Sequence, residues 1–130
     1  MAKVYDPKNT TVIVGGVYLT GLGEDMVEVD KDEDNQEAKV GAQGDVAVAR
    51  INNNLGTIKV TLLSVSPQVS MLDRLANSGK LFPISVIYAG DPKETATATE
   101  AFVKKPATRS YGKEVADREY EIQALDLKFE

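Results

Sequence analysis

The run EVDKDEDNQEAK, from Glu28 to Lys39, holds the chain's densest group of side chains that could do chemistry. Eight acids, Glu24, Asp25, Glu28, Asp30, Asp32, Glu33, Asp34 and Glu37, are offset within their own span only by Lys31, so the segment carries −7. Alternating carboxylates are hard oxygen ligands, and calcium is the first chemistry to test. A loop of EF-hand type starting at Asp30 puts Asp30, Asp32 and Asp34 at positions 1, 3 and 5. Position 6 is then Asn35 instead of glycine, and position 12 is Gly41 instead of glutamate. No helical pattern flanks the run. That leaves an irregular calcium site, a solvated acidic surface, or a segment that a neighbouring chain must meet.

Catalysis finds little to work with. The chain has no histidine, cysteine or tryptophan, so the commonest acid–base and nucleophilic roles are unfilled. Its serines stand in no nucleophile-elbow context. The glycines of GGVYLTGLG are followed by neither a helix pattern nor the lysine of a phosphate-cradling loop. Eight acids on one segment are not a tuned glycosidase pair. The inventory reads as a protein that is not an enzyme and takes no cofactor.

The rest of the chain balances the acids. The whole chain is −5, so everything outside Glu24–Glu37 sums to +2. Lys104, Lys105, Arg109 and Lys113 form a +4 stretch with no acid inside it. Each patch could simply be a solvated face. Alternatively, the acidic segment of one copy docks near the basic stretch of another, a two-sided contact that builds rings or filaments. An acidic protein of this kind should repel nucleic acid, not bind it.

The elements that carry these groups are mostly strands. Thr10–Val14 and Val17–Leu19 form a hairpin turned at Gly15-Gly16. Met26–Asp30 reads as a strand leading into the acidic stretch. DVAVAR and GTIKVTLL, joined by Asn-rich residues, predict a second hairpin. In the latter, Ile58, Val60 and Leu62 share one face and Lys59 and Thr61 the other. One helix is expected over about 66–78, with Ser66 as N-cap, Pro67 in the first turn and Gly79 closing it. Its Val69, Leu72, Leu75 and Ala76 should lie on a sheet. FPISVIYA and Thr95–Val103 read as further strands. In the closing REYEIQALDLKF, Tyr120, Ile122 and Ala124 face one way. The phase flips at Leu125, which predicts a bulge or a strand crossing between sheets.

At 130 residues, with 42% hydrophobic content, the chain is read as one domain over 1–130 with a real core. The fold class expected is mainly β, a sandwich or barrel of two packed antiparallel sheets with one flanking helix. The opening residues lack the apolar run of a signal peptide, and no apolar window is long enough to span a membrane. A cysteine-free composition fits folding in a reducing compartment.

Tyr5-Asp6-Pro7-Lys8, VGGVYLTG, the glycines of VGAQGDV, GTIKVTL, and Gly112-Lys113-Glu114 followed by Arg118-Glu119 together carry a resemblance. In that order, from Tyr5 to Leu127, the chain resembles the tail-tube proteins of contractile-tailed bacteriophages and phage-like particles. Tyr120 departs from that pattern, which has tryptophan there. The resemblance implies a sandwich or barrel with one helix, assembled as a homo-hexamer whose rings stack into a hollow tube, with Gly23–Gly44 as a long acidic hairpin loop that reaches the next ring. The tube would serve as a DNA conduit without specific DNA binding. It implies sheath, baseplate and tail-terminator proteins as partners, and a place in the virion after assembly in the host cytoplasm. The tube of a phage-like bacteriocin or contractile secretion system shares this architecture. The reading from a different class is a monomeric calcium- or ligand-binding β-module. On the tail-tube reading, the acids from Glu24 to Glu37 and the basic residues Lys104, Lys105, Arg109 and Lys113 are the expected inter-subunit positions.

Overall fold

Residues 3–130 are described by the structure, a computed structural model. Ten strands and one α-helix, preceded by a single 3-10 turn at Pro7–Asn9, follow in chain order: β1 (Thr10–Val14), β2 (Val17–Tyr18), β3 (Leu22–Lys31), β4 (Gln36–Val40), β5 (Val46–Arg50), β6 (Gly56–Leu63), α1 (Val69–Ser78), β7 (Phe82–Tyr88), β8 (Glu94–Val103), β9 (Asp117–Ala124) and β10 (Lys128–Phe129). Eight strands form one antiparallel sheet in the order β2-β1-β7-β8-β9-β6-β3, with β10 beside β8. The remaining pair, β4 and β5, is a separate two-stranded ribbon.

Alternation explains the core. Ile58, Val60 and Leu62 of β6 and Tyr120, Ile122 and Ala124 of β9 are fully buried, while Lys59, between them in sequence, is exposed. Val12 and Val14 of β1 and Ile84 and Val86 of β7 belong to the same hydrophobic cluster. The sheet therefore folds over on itself and packs the β1–β7 half against the β9–β6 half. This is a sandwich-like arrangement, and β2 and β3 stay unjoined, so no barrel closes. Helix α1 adds Leu72, fully buried, with Val69, Leu75 and Ala76 packed on the cluster. Burial of a side chain like Leu72 contributes about 2 kcal/mol.

The fold line is the phase flip at Leu125. On β8, Ala96 and Ala98 are buried, then Ala101 and Val103, so the inward positions change parity across Thr99 and Glu100. β9 pairs with the far half of β8 and β10 with the near half, in one unbroken register. Both strands kink at the same level, and Asp126 fastens the kink. Its carboxylate accepts from the N–H groups of Thr99 (2.9 Å) and Glu100 (3.2 Å), and from the Thr99 hydroxyl. The Thr99 hydroxyl and these N–H groups hold the Asp126 carboxyl below the ordinary carboxylate value. A depressed native pKa gives stability that is present above the unfolded pKa and lost as pH falls below about 4. Asp126→Asn keeps an acceptor but cannot titrate, so its unfolding midpoint should fall less than the parent's between pH 7 and pH 3. Equal losses in both proteins would remove Asp126 from the acid response.

Glycines set the turns. Gly15 and Gly16 have φ of 57° and 84°, the double left-handed turn that matches strand twist in a two-residue hairpin. Gly56 starts β6 where space is shortest. A Cβ there would overlap Leu127, itself buried, and stand 3.1 Å from the Asp30 carbonyl. Gly56→Ala should cost about 1–3 kcal/mol by overpacking. Thermal unfolding checks this, and an unchanged midpoint would mean that Leu127 moves aside freely.

Three expectations are corrected. The helix begins at Val69, not Ser66. Ser66 and Pro67 form the turn before it, and the buried Ser66 hydroxyl donates to the Thr20 carbonyl (2.6 Å). Gly79 closes the helix in the left-handed conformation as expected. The second hairpin joins β4 to β5, not β5 to β6, because β6 already has β3 on one edge and β9 on the other. Finally, Gly23–Gly44 is not one loop: the sheet strand β3 runs through Lys31, and β4 resumes at Gln36.

Candidate assembly surfaces

The outward face of β3, β6 and β9 gathers carboxylates from three parts of the chain. Register places Glu28 beside Lys59 and Lys59 beside Glu121, while Thr61 lies opposite Glu119. Asp25 and Asp117 border the same face next to Glu28, Thr61 and Glu119, and Asp30 borders it next to Thr57. Six carboxylates thus surround Lys59, the one base carried by these three strands' outward faces. The sequence reading had Glu28, Asp30 and Asp25 but missed Asp117, Glu119 and Glu121. Their signal was the polar phase of REYEIQ, which marks an outward face without saying what lies beside it.

Asp32 does a different job. It accepts from the Thr57 hydroxyl (2.8 Å) and the Gln123 amide (3.0 Å), and Gln123 also donates to the Gly56 carbonyl (2.9 Å). Those bonds, Gln123 first and Thr57 second, hold the Asp32 carboxyl below its usual value. They clamp the place where the chain leaves the sheet. Glu33 and Asp34 lie in the bend beyond it and Glu37 on β4, all exposed. Among the described residues no group of three or more acids converges as metal ligands would, so Asp30, Asp32 and Asp34 are not brought together.

Beyond the clamp, the β4–β5 ribbon stands exposed along its whole length. Val40 pairs with Val46 and Ala38 with Val48, so the four share one side of the ribbon. The three valines are each more than 60% exposed. A lone two-stranded hairpin is marginal in water, and this one shows solvent an apolar stripe.

The basic stretch does not stay together. Lys104 sits 3.9 Å from Glu121, and Lys105 borders the acidic face beside Lys59 and Glu119. Arg109 turns to the helix and pairs with Asp73 at 3.3 Å. Asp73 also accepts from the hydroxyl of the fully buried Tyr120 (2.8 Å), which reaches the Val69 carbonyl as well (3.2 Å). Burial, reinforced by Asp73, pushes the Tyr120 phenol well above its ordinary value. Lys113 is exposed in the long connection 104–116. The two expected patches are thus each divided: Asp25, Glu28 and Asp30 share one sheet face with Lys104 and Lys105, Asp32, Glu33, Asp34 and Glu37 lie at the clamp and the ribbon, Glu24 is exposed on β3, and Arg109 turns to α1.

Among the described residues no helix is long and apolar enough to cross a membrane. No individually curated protein matches the chain significantly. Solved structures of similar fold include the sheath/tube terminator of an extracellular contractile injection system, PVC, in its extended state, with a TM-score of 0.68 at 15% identity over 99% of this chain and 98% of that one. The anti-feeding prophage cap, a tube-terminating cap, gives 0.63 at 14% identity over 100% and 94%. The PVC sheath–tube complex gives 0.62 at 14% identity over 93% and 87%. The family described as bacteriophage PhiTE tail tube protein matches residues 4–128. The sandwich-like fold fits that match, and the chain belongs to this tail tube protein family.

Proposed function

We propose that the chain is a self-assembling structural subunit, six copies of which form a ring, with rings stacking into the hollow inner tube of a contractile tail. The observation that carries the reading is the acidic β3–β6–β9 face next to the open edge of β3. A long unpaired edge is a liability for an isolated sheet. Joining such edges around a ring removes it and turns a continuous carboxylate-covered face onto one side of the wall. Facing the channel, that side repels a passing polyanion, so DNA moves through without sticking. Glu28, Asp30, Glu119 and Glu121 would then line the lumen.

In this role the chain performs no turnover and needs no cofactor. Its partners are further copies of itself, the sheath around the tube, the baseplate and the tail terminator, and its place is the virion after assembly in the host cytoplasm. Negative-stain electron microscopy across a protein concentration series, with and without calcium, tests the proposal. Rings or hollow tubes that form without calcium are expected. Small particles at every concentration, with a melting temperature raised by calcium, would instead mark a monomeric cation-binding module.

A further inference from the structure

Strand β9 carries an arginine at a position where its alternation buries the side chain. Arg118 is in phase with Tyr120, Ile122 and Ala124 on the inward side of the sheet, and it pairs across to the fully buried Leu62. Only 6% of it is exposed. Among the described residues it takes part in no ion pair. Its one hydrogen bond, at 3.4 Å, goes to the carbonyl of Asp117, its own neighbour in sequence. Its guanidinium otherwise faces the Tyr111 ring, 5.4 Å from the ring centre. A guanidinium has five N–H donors and cannot shed its charge. Burying one without a counter-ion is strongly unfavourable, so the fold carries an uncompensated charge at this point.

That charge borders an opening. Between α1 and the connection 104–116 lies a shallow groove of about 450 Å³, with Arg118 in its wall. Val69 and Val115 supply apolar lining, and Ser64 and Ser70 supply hydroxyls. Neither carboxylate on the groove neutralises Arg118: Asp73 is taken by Arg109 and the Tyr120 hydroxyl, and Glu114 is exposed. At the rim, Tyr111 and Val115 are 81% and 65% exposed, and Val65, next to Ser64, is 74% exposed. Asp117, Glu119 and Glu121 alternate with Arg118 and Tyr120, so the groove and the carboxylate face lie on opposite sides of β9.

Chemistry selects the occupant. A planar fork with unused donors matches an oxyanion bidentately. Asp73 and Glu114 on the same groove weigh against a doubly charged phosphate. Val69, Val115 and the Tyr111 ring call for carbon beside the charge. A free small acid would leave Val65, Tyr111 and Val115 in water, whereas sites for small ligands enclose most of their ligand. An open groove with arginine and tyrosine at its centre and an apolar rim has the make-up of a contact between proteins. We infer that this groove seats an acidic side chain of another polypeptide, its carboxylate held by Arg118 and its apolar neighbours lying on Tyr111 and Val115.

Melting curves of the full chain with blocked pentapeptides test the assignment. One peptide carries glutamate between two leucines, and its control carries glutamine there. Acetate and inorganic phosphate are run at the same millimolar concentration and ionic strength. The glutamate peptide should raise the melting temperature saturably, and the other three additives should not. Arg118→Met keeps the length of the side chain and removes the charge. With no counter-ion left stranded, it should melt at or above the parent's temperature and lose the peptide-dependent rise. Tyr111→Ser, at an exposed position, should melt like the parent and bind the peptide about tenfold more weakly. No rise in the parent, an equal rise with the glutamine peptide, or a rise retained in Arg118→Met would overturn the assignment. A rise of the same size with acetate or phosphate would also overturn it, by marking a site for small anions. So would an Arg118→Met chain less stable than the parent, since the arginine would then be compensated within the fold itself.

Discussion

Replacing residues 33–54 with an Asn-Gly turn is expected to give a folded chain that forms neither rings stacked on one another nor tubes at any concentration at which the parent does. The sheet supplies the reason the variant should fold. Lys31 and Gly56 are paired, and the Asp32 N–H donates to the Leu55 carbonyl at 3.1 Å, so the two ends already stand at hairpin distance. A two-residue turn closes such a gap, and the shorter loop costs less closure entropy. The Asp32 clamp on Thr57 and Gln123 is kept. No residue of the core cluster is removed, and the glycine of the new turn takes the place of Asn54, whose carbonyl accepts from the Leu127 N–H (2.9 Å). Its melting temperature should therefore match or slightly exceed the parent's, while micrographs and sedimentation show no long particles. Tubes of normal length from the deletion variant would show that stacking does not pass through the ribbon.

Tyr120→Ala should have the largest effect on stability. The side chain is fully buried in the middle of β9, between the sheet layers and under α1. Its removal forfeits transfer energy and leaves a cavity, about 3–5 kcal/mol for an aromatic residue. Domains of this size hold only about 5–15 kcal/mol in total, and the loss corresponds to a fall in melting temperature of roughly 15 °C. It also strips Asp73 of one partner and frees the N-terminal turn of α1, where the phenol holds the Val69 carbonyl. Tyr120→Phe isolates the second contribution. It keeps the ring and loses the hydroxyl bonds, and Arg109 remains on Asp73, so the cost should be about 1–2 kcal/mol. Urea titrations of the two variants separate the contributions. A Tyr120→Phe variant as unstable as Tyr120→Ala would place the anchor in the hydrogen bonds and not in the ring.

What the sequence made legible was local. The Gly15-Gly16 turn, the alternation of Ile58, Val60 and Leu62, and the closing Gly79 each declare themselves within a few residues, because backbone sterics and side-chain period are short-range properties. The phase flip at Leu125 was legible for the same reason, though its fastener, Asp126 reaching back to Thr99 and Glu100, was not. Pairing was the harder part. A strand's alternation says which face is buried but not which strand fills each edge, so β5 was given to β6 when β3 and β9 already occupied it. The acidic face was hidden in the same way. Glu28, Lys59 and Glu121 are distant in sequence and become neighbours only through the register of three strands. Arg109 looked like one of four equivalent bases until the packing of α1 brought Asp73 to it.

The ribbon leaves the sheet at the Gly56 end of β6, which has a kinetic consequence for growth. If the ribbon carries the contact between rings, as the deletion above expects, a stack has two unlike tips, one offering ribbons and the other the ends that receive them, so elongation at each tip is a separate reaction with its own rate. A chain without its ribbon can still receive one: it can join an advancing tip of ribbons but offers nothing for the next subunit to bind. Mixed with the parent in small proportion, it should act as a chain terminator at one tip only. Mean tube length should then fall as its fraction rises, and a length distribution insensitive to that fraction would show that the two tips are not distinguished in this way.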